Sequence, residues 1–262
     1  MTVASVVLRS GLRDLGRNRW IVGYAAGFFV IAEALFWFGG TGTQVILSLL
    51  NVVLMVVPLV SLVFGAMYVY GAREFTELLL AQPVARRELF VGHFLGLALP
   101  LAAAFLAGAG LPFAIHGGAG AHPGAIAALL IAGTGLSVSC AAIAVAIALY
   151  SDDRLRGVGI ALGVWLTMTI LYDAAMLAFA ASFGEWPLER LLLGLMMLNP
   201  VDLARGLVLT QLDVSALMGY TGALFERTFG SLLGTITAVT ALVIWVAAPF
   251  AIAARRFSRR DF

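Results

Sequence analysis

Two carboxylic acids could do chemistry within the apolar parts of this chain. Glu33 and Asp173 each interrupt a long run of hydrophobic residues. A charge inside hydrocarbon costs at least about 2.5 kcal/mol, so each acid is expected to face protein or water and is a candidate functional residue. The alternative is structural: each acid lies near the membrane surface and is hydrated, or bonds a polar neighbour such as Gln44, Asn51 or Thr169.

Histidine and methionine side chains could bind a metal. His116 and His122 flank a glycine-rich stretch, HGGAGAHPG, and Met196 and Met197 lie later in the chain. Imidazole and thioether groups are plausible copper ligands. Two histidines in a flexible loop without a cysteine form a weak site, so no metal is predicted and His116 and His122 stay weak candidates. The single cysteine, Cys140, lies in an apolar run and excludes a disulfide framework.

Signatures of catalysis are scarce in the sequence. It contains neither a G-x-S-x-G nor an H-E-x-x-H motif. All 16 basic residues are arginines, so the chain cannot form a Walker A loop, whose lysine reaches the nucleotide phosphates. The chain is therefore predicted to be non-catalytic and without a cofactor, and any ATP hydrolysis would belong to another chain. One alternative is an intramembrane enzyme that uses Asp173, Glu33 or His93, and another is a self-sufficient secondary transporter.

The elements that must position these residues are membrane spans. Of the 262 residues, 62% are hydrophobic and 11% are charged, whereas a soluble domain has roughly a quarter charged residues. This composition excludes a soluble globular enzyme, and a net charge of +2 gives no reason to expect a nucleic-acid partner. Six stretches reach the roughly 20 residues that a spanning helix needs. They are Trp20–Phe38, Val45–Tyr70, Val91–Ile115, Ala125–Tyr150, Val158–Ser182 and Ser231–Ala254.

The arginines predict the orientation of these spans. When alternate sides of the membrane are assigned along the chain, 13 arginines fall on one side and three on the other. The larger group is Arg9, Arg13, Arg17, Arg19, Arg73, Arg86, Arg87, Arg154, Arg156, Arg255, Arg256, Arg259 and Arg260, and the smaller is Arg190, Arg205 and Arg227. Because arginine accumulates on the cytoplasmic side, both termini are predicted to be cytoplasmic, in a multi-pass membrane protein.

The predicted spans divide the chain into seven segments. These are a cytoplasmic interfacial helix at 1–19, transmembrane helices 1 and 2 at 20–70, a cytoplasmic loop at 71–90, transmembrane helices 3–5 at 91–182, an extracytoplasmic segment with short helices at 183–230, transmembrane helix 6 at 231–254 and a cytoplasmic basic tail at 255–262. Leucines and arginines occupy adjacent faces of the first segment, which indicates a helix lying on the membrane surface. Leu188–Leu198 is apolar but too short to span, so it is assigned to the extracytoplasmic segment.

The loop after the second span contains a short amphipathic pattern, REFTELLL. It combines apolar residues at helical spacing, charged residues on the remaining surface and a later proline that ends the helix. These are Phe75, Leu78 and Leu79, then Arg73, Glu74 and Glu77, and finally Pro83. Such a helix could dock in a groove on a soluble partner. The alternative is a well-formed loop without a partner.

Two motifs resemble those of the ABC-2 type permeases. The first lies in the inner loop and reads R-E-x…LLLxxPxxRxxLxxGxxxG, and the second is a late L-N-P-x-D-x-x-R. The first runs through Arg73, Glu74, Leu78, Leu79, Leu80, Pro83, Arg86, Gly92 and Gly96, and the second consists of Leu198, Asn199, Pro200, Asp202 and Arg205. With six spans and both termini inside, the chain resembles this family over nearly its whole length.

The resemblance implies an all-α, multi-pass protein of the bacterial inner membrane, with six transmembrane helices and the ABC-2 (type V exporter-like) permease architecture. It implies a homodimer whose cytoplasmic partner, a separate ABC ATPase, binds ATP and Mg²⁺. The residues that would couple to this ATPase are Arg73, Glu74, Phe75, Glu77, Leu78, Leu79 and Pro83. Those that would contact a periplasmic partner are Asn199, Pro200, Asp202 and Arg205.

Within the family, the chain is most similar to the permeases of complexes that mature nitrous oxide reductase. This similarity implies a NosF-like ATPase, a NosD-like periplasmic protein, a copper chaperone as a further partner, and a role in copper or sulfur delivery. The alternative within the family is an ABC-2 exporter of a lipid, drug or peptide.

Overall fold

Helices form every regular element that the structure describes. The computed structural model describes residues 19–38, 41–80, 85–120, 122–183, 194–212 and 232–259. The helices are α1 (Arg19–Trp37), α2 (Gly42–Gly71), α3 (Arg73–Leu80), α4 (Arg86–Ile115), α5 (Pro123–Tyr150), α6 (Arg154–Leu166), α7 (Tyr172–Ser182), α8 (Pro200–Leu209) and α9 (Leu232–Arg259). A 3₁₀ turn at Gly117–Gly120 follows α4, and a π-helical turn at Thr167–Leu171 joins α6 to α7.

Six of these helical segments are long and apolar enough to cross a membrane: α1, α2, α4, α5, the continuous α6–α7 segment and α9. The prediction of six spans in an all-α protein is therefore confirmed. The predicted interfacial helix at 1–19 lies outside the described residues except for Arg19, as do Pro83 and most of the segment at 183–230.

Several spans are longer than the sequence predicted, most of all the third and the sixth. The fourth helix begins at Arg86 rather than Val91, and α9 continues to Arg259 rather than ending at Ala254. Hydropathy marks where the hydrocarbon ends, but the backbone stays helical beyond it. Arginine is a good helix former, and its long side chain places the charge in the headgroup layer while its methylenes stay on apolar surface.

The fifth helix is the centre of the bundle and packs against α2, α4, α6, α8 and α9. Its buried face consists largely of Ala, Gly and Ser, which let neighbouring helices approach closely. An added Cβ at Gly65 of α2 would lie 2.8 Å from the Ala144 Cβ of α5. On the other side, the first helix packs against α4, where a Cβ at Gly108 would meet the backbone of Ala25.

Three spans leave most of their surface uncovered in the single chain. About half or more of the residues in the apolar parts of α2, α4 and α5 are buried, whereas α1, α6–α7 and α9 bury few of theirs. A Cβ added at Gly159 or Gly163 on α6 would have no neighbouring atom within 4 Å. The exposed surface of α6–α7 is thus open to lipid or to another protein.

Candidate functional site

The short helix α3 lies at one end of the bundle and is tied there by Arg73. The Arg73 guanidinium donates to Asp152 twice, at 2.5 Å to the side-chain Oδ1 and at 3.0 Å to the backbone carbonyl. One residue earlier along the connection, the Ser151 carbonyl accepts a hydrogen bond from the Tyr70 hydroxyl at 3.0 Å. These bonds fix the start of α3 to the connection between α5 and α6.

A second contact ties α3 to α4. Thr76 is the buried residue of α3, and its Oγ1 lies 3.3 Å from Nε2 of His93 on α4. The other ring nitrogen of His93, Nδ1, lies 3.1 Å from the Leu89 carbonyl of the preceding turn. His93, which the sequence offered as a candidate residue of an intramembrane enzyme, thus supports α3.

The apolar face that the sequence predicted for α3 is divided between two sides of the helix. Leu79 packs inward with Thr76, against the apolar cluster formed by α4, α5 and α9. Phe75 and Leu78 point outward and are 50% and 69% exposed. The exposed face of α3 therefore combines two large apolar side chains with the exposed Glu74 and Glu77.

At the opposite end of the bundle, Asp173 of α7 is paired with Arg205 of α8. The guanidinium binds both carboxylate oxygens, with Nη2–Oδ2 at 2.7 Å and Nη1–Oδ1 at 3.1 Å. This two-point geometry is among the stronger forms of ion pair. Arg205 also donates to Asp202 Oδ1 at 3.1 Å, so one guanidinium serves two carboxylates.

Asn199 begins α8 and joins it to the π-helical turn. Its side-chain oxygen accepts from the Val201 N–H at 3.1 Å, as an N-cap does, and Pro200 occupies the first turn, where no N–H is needed. The Asn199 amide nitrogen donates to the Met168 carbonyl at 2.8 Å and to Asp202 Oδ2 at 3.1 Å. Asn199 and Asp202 are buried, so the L-N-P-x-D-x-x-R motif is a capped helix start that carries an ion pair.

Burial sets the protonation of this charged cluster. It raises the pKa of Asp202 to about 7; Arg205 opposes the rise and the charge of Asp173 adds to it. Burial acts to lower the pKa of Arg205, but the hydrogen bond and charge of Asp173, with the charge of Asp202, hold it above its usual value. Asp202 therefore binds a proton more readily than an aspartate exposed to water would.

Two further bonds attach the turn at 194–197 to the same region. The Tyr172 hydroxyl donates to the Leu195 carbonyl at 2.5 Å. From α9, the Trp245 indole N–H donates to the Met197 carbonyl at 3.1 Å. Met196 and Met197 pack against the main apolar core. The cluster is thus held by α7, α8 and α9 together.

The other acid of a span, Glu33, faces His116. Its Oε2 lies 3.7 Å from His116 Nε2, and the imidazole stacks on Phe36 with ring centroids 4.5 Å apart. Nδ1 of His116 lies 3.0 Å from the Pro112 carbonyl. His122 is the residue preceding α5. Across the part of the chain that the structure describes, no three His, Cys, Asp or Glu side chains gather in a way that could hold a metal ion.

The sequence did not predict the partners of either acid. Asn51 donates to the Leu47 carbonyl of its own helix, and Thr169 donates to the Trp165 carbonyl. The actual partner of Asp173 lies 32 residues further on, inside a motif that the family resemblance assigns to a separate contact. Charge is the one feature of the sequence that could have indicated this pair. Asp173 is an acid in a predicted span, and Arg205 is one of only three arginines on the arginine-poor side.

Comparison with known proteins defines the class. The family model for ABC-2 family transporter proteins matches residues 7–262, and the chain belongs to this family: it is the multi-pass permease subunit of an ABC transporter. Two similar proteins are both described as a probable ABC transporter permease protein NosY. The one from Pseudomonas aeruginosa is 30% identical, covering 99% of each chain. The one from Stutzerimonas stutzeri is 28% identical, covering 97% of each chain.

We predict that Asp173 and Arg205 are energetically coupled. Replacing Arg205 by Gln leaves two carboxylates facing each other, so the free energy of unfolding should fall by about 1–3 kcal/mol. Asp173→Asn in the same chain should recover part of that loss, because one of the opposed charges is removed. Thermal unfolding of the two single variants and the double variant in detergent measures the coupling as a double-mutant cycle. Additive losses would contradict the pairing.

We also predict a pH dependence that belongs to Asp202. Because its pKa is raised on folding, the folded state binds a proton more tightly than the unfolded one, and stability should fall as pH rises from about 4 to about 7. Asp202→Asn carries no such proton. The melting temperature of the wild type, taken relative to Asp202→Asn at each pH, should decline by several degrees over that interval. A constant difference between the two proteins would refute the assignment.

Proposed function

We propose that this permease receives the motion of a separate, cytoplasmic ABC ATPase at α3 and transmits it to the opposite end of the bundle. The observation that carries the proposal is the two-sided build of α3. One side is fixed by Arg73 and Thr76 to the α5–α6 connection and to α4, and the other exposes Phe75 and Leu78. A partner that binds the exposed side and moves α3 would also move the α5–α6 connection and α4, to which the other side is bonded.

A continuous series of contacts joins the two ends of the helix bundle. Asp152, the partner of Arg73, lies just before α6. Near its end that helix is held against α2, where the Trp165 indole N–H donates to the Met55 carbonyl at 3.0 Å. The chain then passes through the π-helical turn, a geometry that is frequent at functional sites, and reaches Asp173 and its partner Arg205. Movement of α3 would thereby tilt α6–α7 and displace α8.

The remaining parts of the proposal follow the family. The arginine-rich end with α3 faces the cytoplasm of a bacterial inner membrane, and ATP and Mg²⁺ are bound by the ATPase. A second copy of the chain covers the exposed face of α6–α7, where Gly159 and Gly163 allow close helix packing. The end with Asn199, Pro200, Asp202 and Arg205 acts on a periplasmic partner.

The proposed biological role is nitrous oxide reductase maturation. The similarity to two proteins described as NosY, over nearly the full length of each, supports a complex with a NosF-like ATPase and a NosD-like periplasmic protein. Its task would be copper or sulfur delivery, with a copper chaperone as a further partner. His116 and His122 take no part in this proposal.

The docking of α3 is tested by Leu78→Asp. Burying this leucine in a partner groove should contribute about 1.5–3 kcal/mol to the binding free energy. The amount of ATPase that co-purifies with the variant should therefore fall about tenfold or more. Leu155→Asp is the matched control, because Leu155 is an equally apolar, exposed residue at the same end but outside α3. Both variants should insert at wild-type level. Equal ATPase recovery with Leu78→Asp would overturn the assignment of α3.

The biological role is tested by deleting the chain in a denitrifying bacterium. Nitrous oxide reductase purified from the deletion strain should lack its full copper content, and expression of the intact chain should restore it. Arg205→Gln should restore it less well at equal expression. A reductase with its full copper content in the deletion strain would instead favour the export of another cargo.

A further inference from the structure

A crevice opens at the arginine-rich end of the bundle, between the end of α5 and the start of α6. Its volume is about 430 Å³, within the range of about 300–1,000 Å³ found for ligand pockets. Its lining residues are Ala146, Ile147, Tyr150, Ser151, Arg156 and Ile160. The crevice is therefore apolar along the helices and polar at its mouth.

Arginines of two helices lie at or next to this crevice. Arg156 lines the crevice directly. Arg256 reaches over from α9, with its guanidinium carbon 5.2 Å from the centre of the Tyr150 ring. The two acids of the connection are engaged elsewhere, since Asp152 pairs with Arg73 and Asp153 accepts the Leu155 N–H at the start of α6. The mouth thus offers positive charge from two different helices.

The surroundings of the crevice are those of a membrane surface. Tyr150 ends a span and is 62% exposed, and Leu155 at the start of α6 is 82% exposed. A tyrosine at the end of a span is typical of the headgroup layer. A ligand in the crevice would therefore come from the membrane.

We propose that this crevice binds an anionic phospholipid. An acyl chain lies along Ala146, Ile147 and Ile160, and the phosphate is held by Arg156 and Arg256. Guanidinium groups bind phosphate oxygens with two parallel hydrogen bonds, and basic pockets between spans take anionic headgroups in other membrane proteins. Bound in this way, the lipid links the ends of α5, α6 and α9 beside the anchor of α3.

Native mass spectrometry of the purified chain tests the proposal. The protein is exchanged into detergent with equal amounts of phosphatidylglycerol and phosphatidylethanolamine, and retained lipid is counted. The wild type should retain phosphatidylglycerol preferentially. Arg156→Gln and Arg256→Gln should each lower that preference about fivefold, since one arginine near the surface contributes about 1 kcal/mol to binding an anionic lipid. Arg154→Gln, on the same turn but outside the lining, is the control and should leave it unchanged.

A steric pair of variants separates the crevice from general surface charge. Ile160→Trp fills the crevice and should abolish the preference for phosphatidylglycerol. Val243→Trp alters an exposed apolar residue of α9 that does not line it and should leave binding intact. Equal retention of both lipids by the wild type, or wild-type retention by Ile160→Trp, would overturn the proposal. Displacement of the lipid by millimolar inorganic phosphate would also overturn it, because the site would then recognise phosphate without the acyl chain.

Discussion

The pairing of Asp173 with Arg205 is the interaction on which the α7–α8 end of this protein depends. A carboxylate in an apolar span cannot stay uncompensated, and its compensation is provided by a guanidinium on α8. That requirement brings the short helix α8 against α7 and brings Asp202 with it. The N-cap by Asn199 then closes the arrangement, because the same amide satisfies the Met168 carbonyl in the π-helical turn. One charge in a membrane helix thus determines where a helix outside the spans must lie.

The end of the bundle that carries α3 is held by the same kind of charge pairing, with weaker interactions. Arg73 and Asp152 form an ion pair near solvent, where such a pair contributes little to stability by itself. The ion pair instead fixes the position of α3, because it joins α3 to the start of α6. Thr76 joins α3 to α4. The outward residues Phe75 and Leu78 are left without a role inside the chain. Structure at both ends therefore points to α6–α7 as the element that connects them.

Much of this fold could be predicted from the sequence, because hydrocarbon imposes a simple rule. Each long apolar stretch must be a helix, so six spans follow from length and composition. The limits of the spans did not follow, since α4 and α9 continue beyond the apolar residues. For α3, periodicity predicted the helix but not which of its residues face inward. Thr76 and Leu79 face inward because His93 and the apolar cluster formed by α4, α5 and α9 lie on that side. The partner of Asp173 was hidden because it depends on how distant segments pack.

The most direct test of the account follows the motion itself. Gln211, one residue beyond Thr210 at the end of α8, is replaced by Cys and labelled with a fluorophore. The native cysteine, the buried Cys140, is replaced by Ser so that only position 211 is labelled. The complex with its ATPase is then trapped with a non-hydrolysable ATP analogue. We predict a change in the fluorescence of the label on trapping, and loss of that change in Asp173→Asn while the ATPase stays bound. An identical change in Asp173→Asn would show that the signal reaches α8 by a different path and would contradict the account.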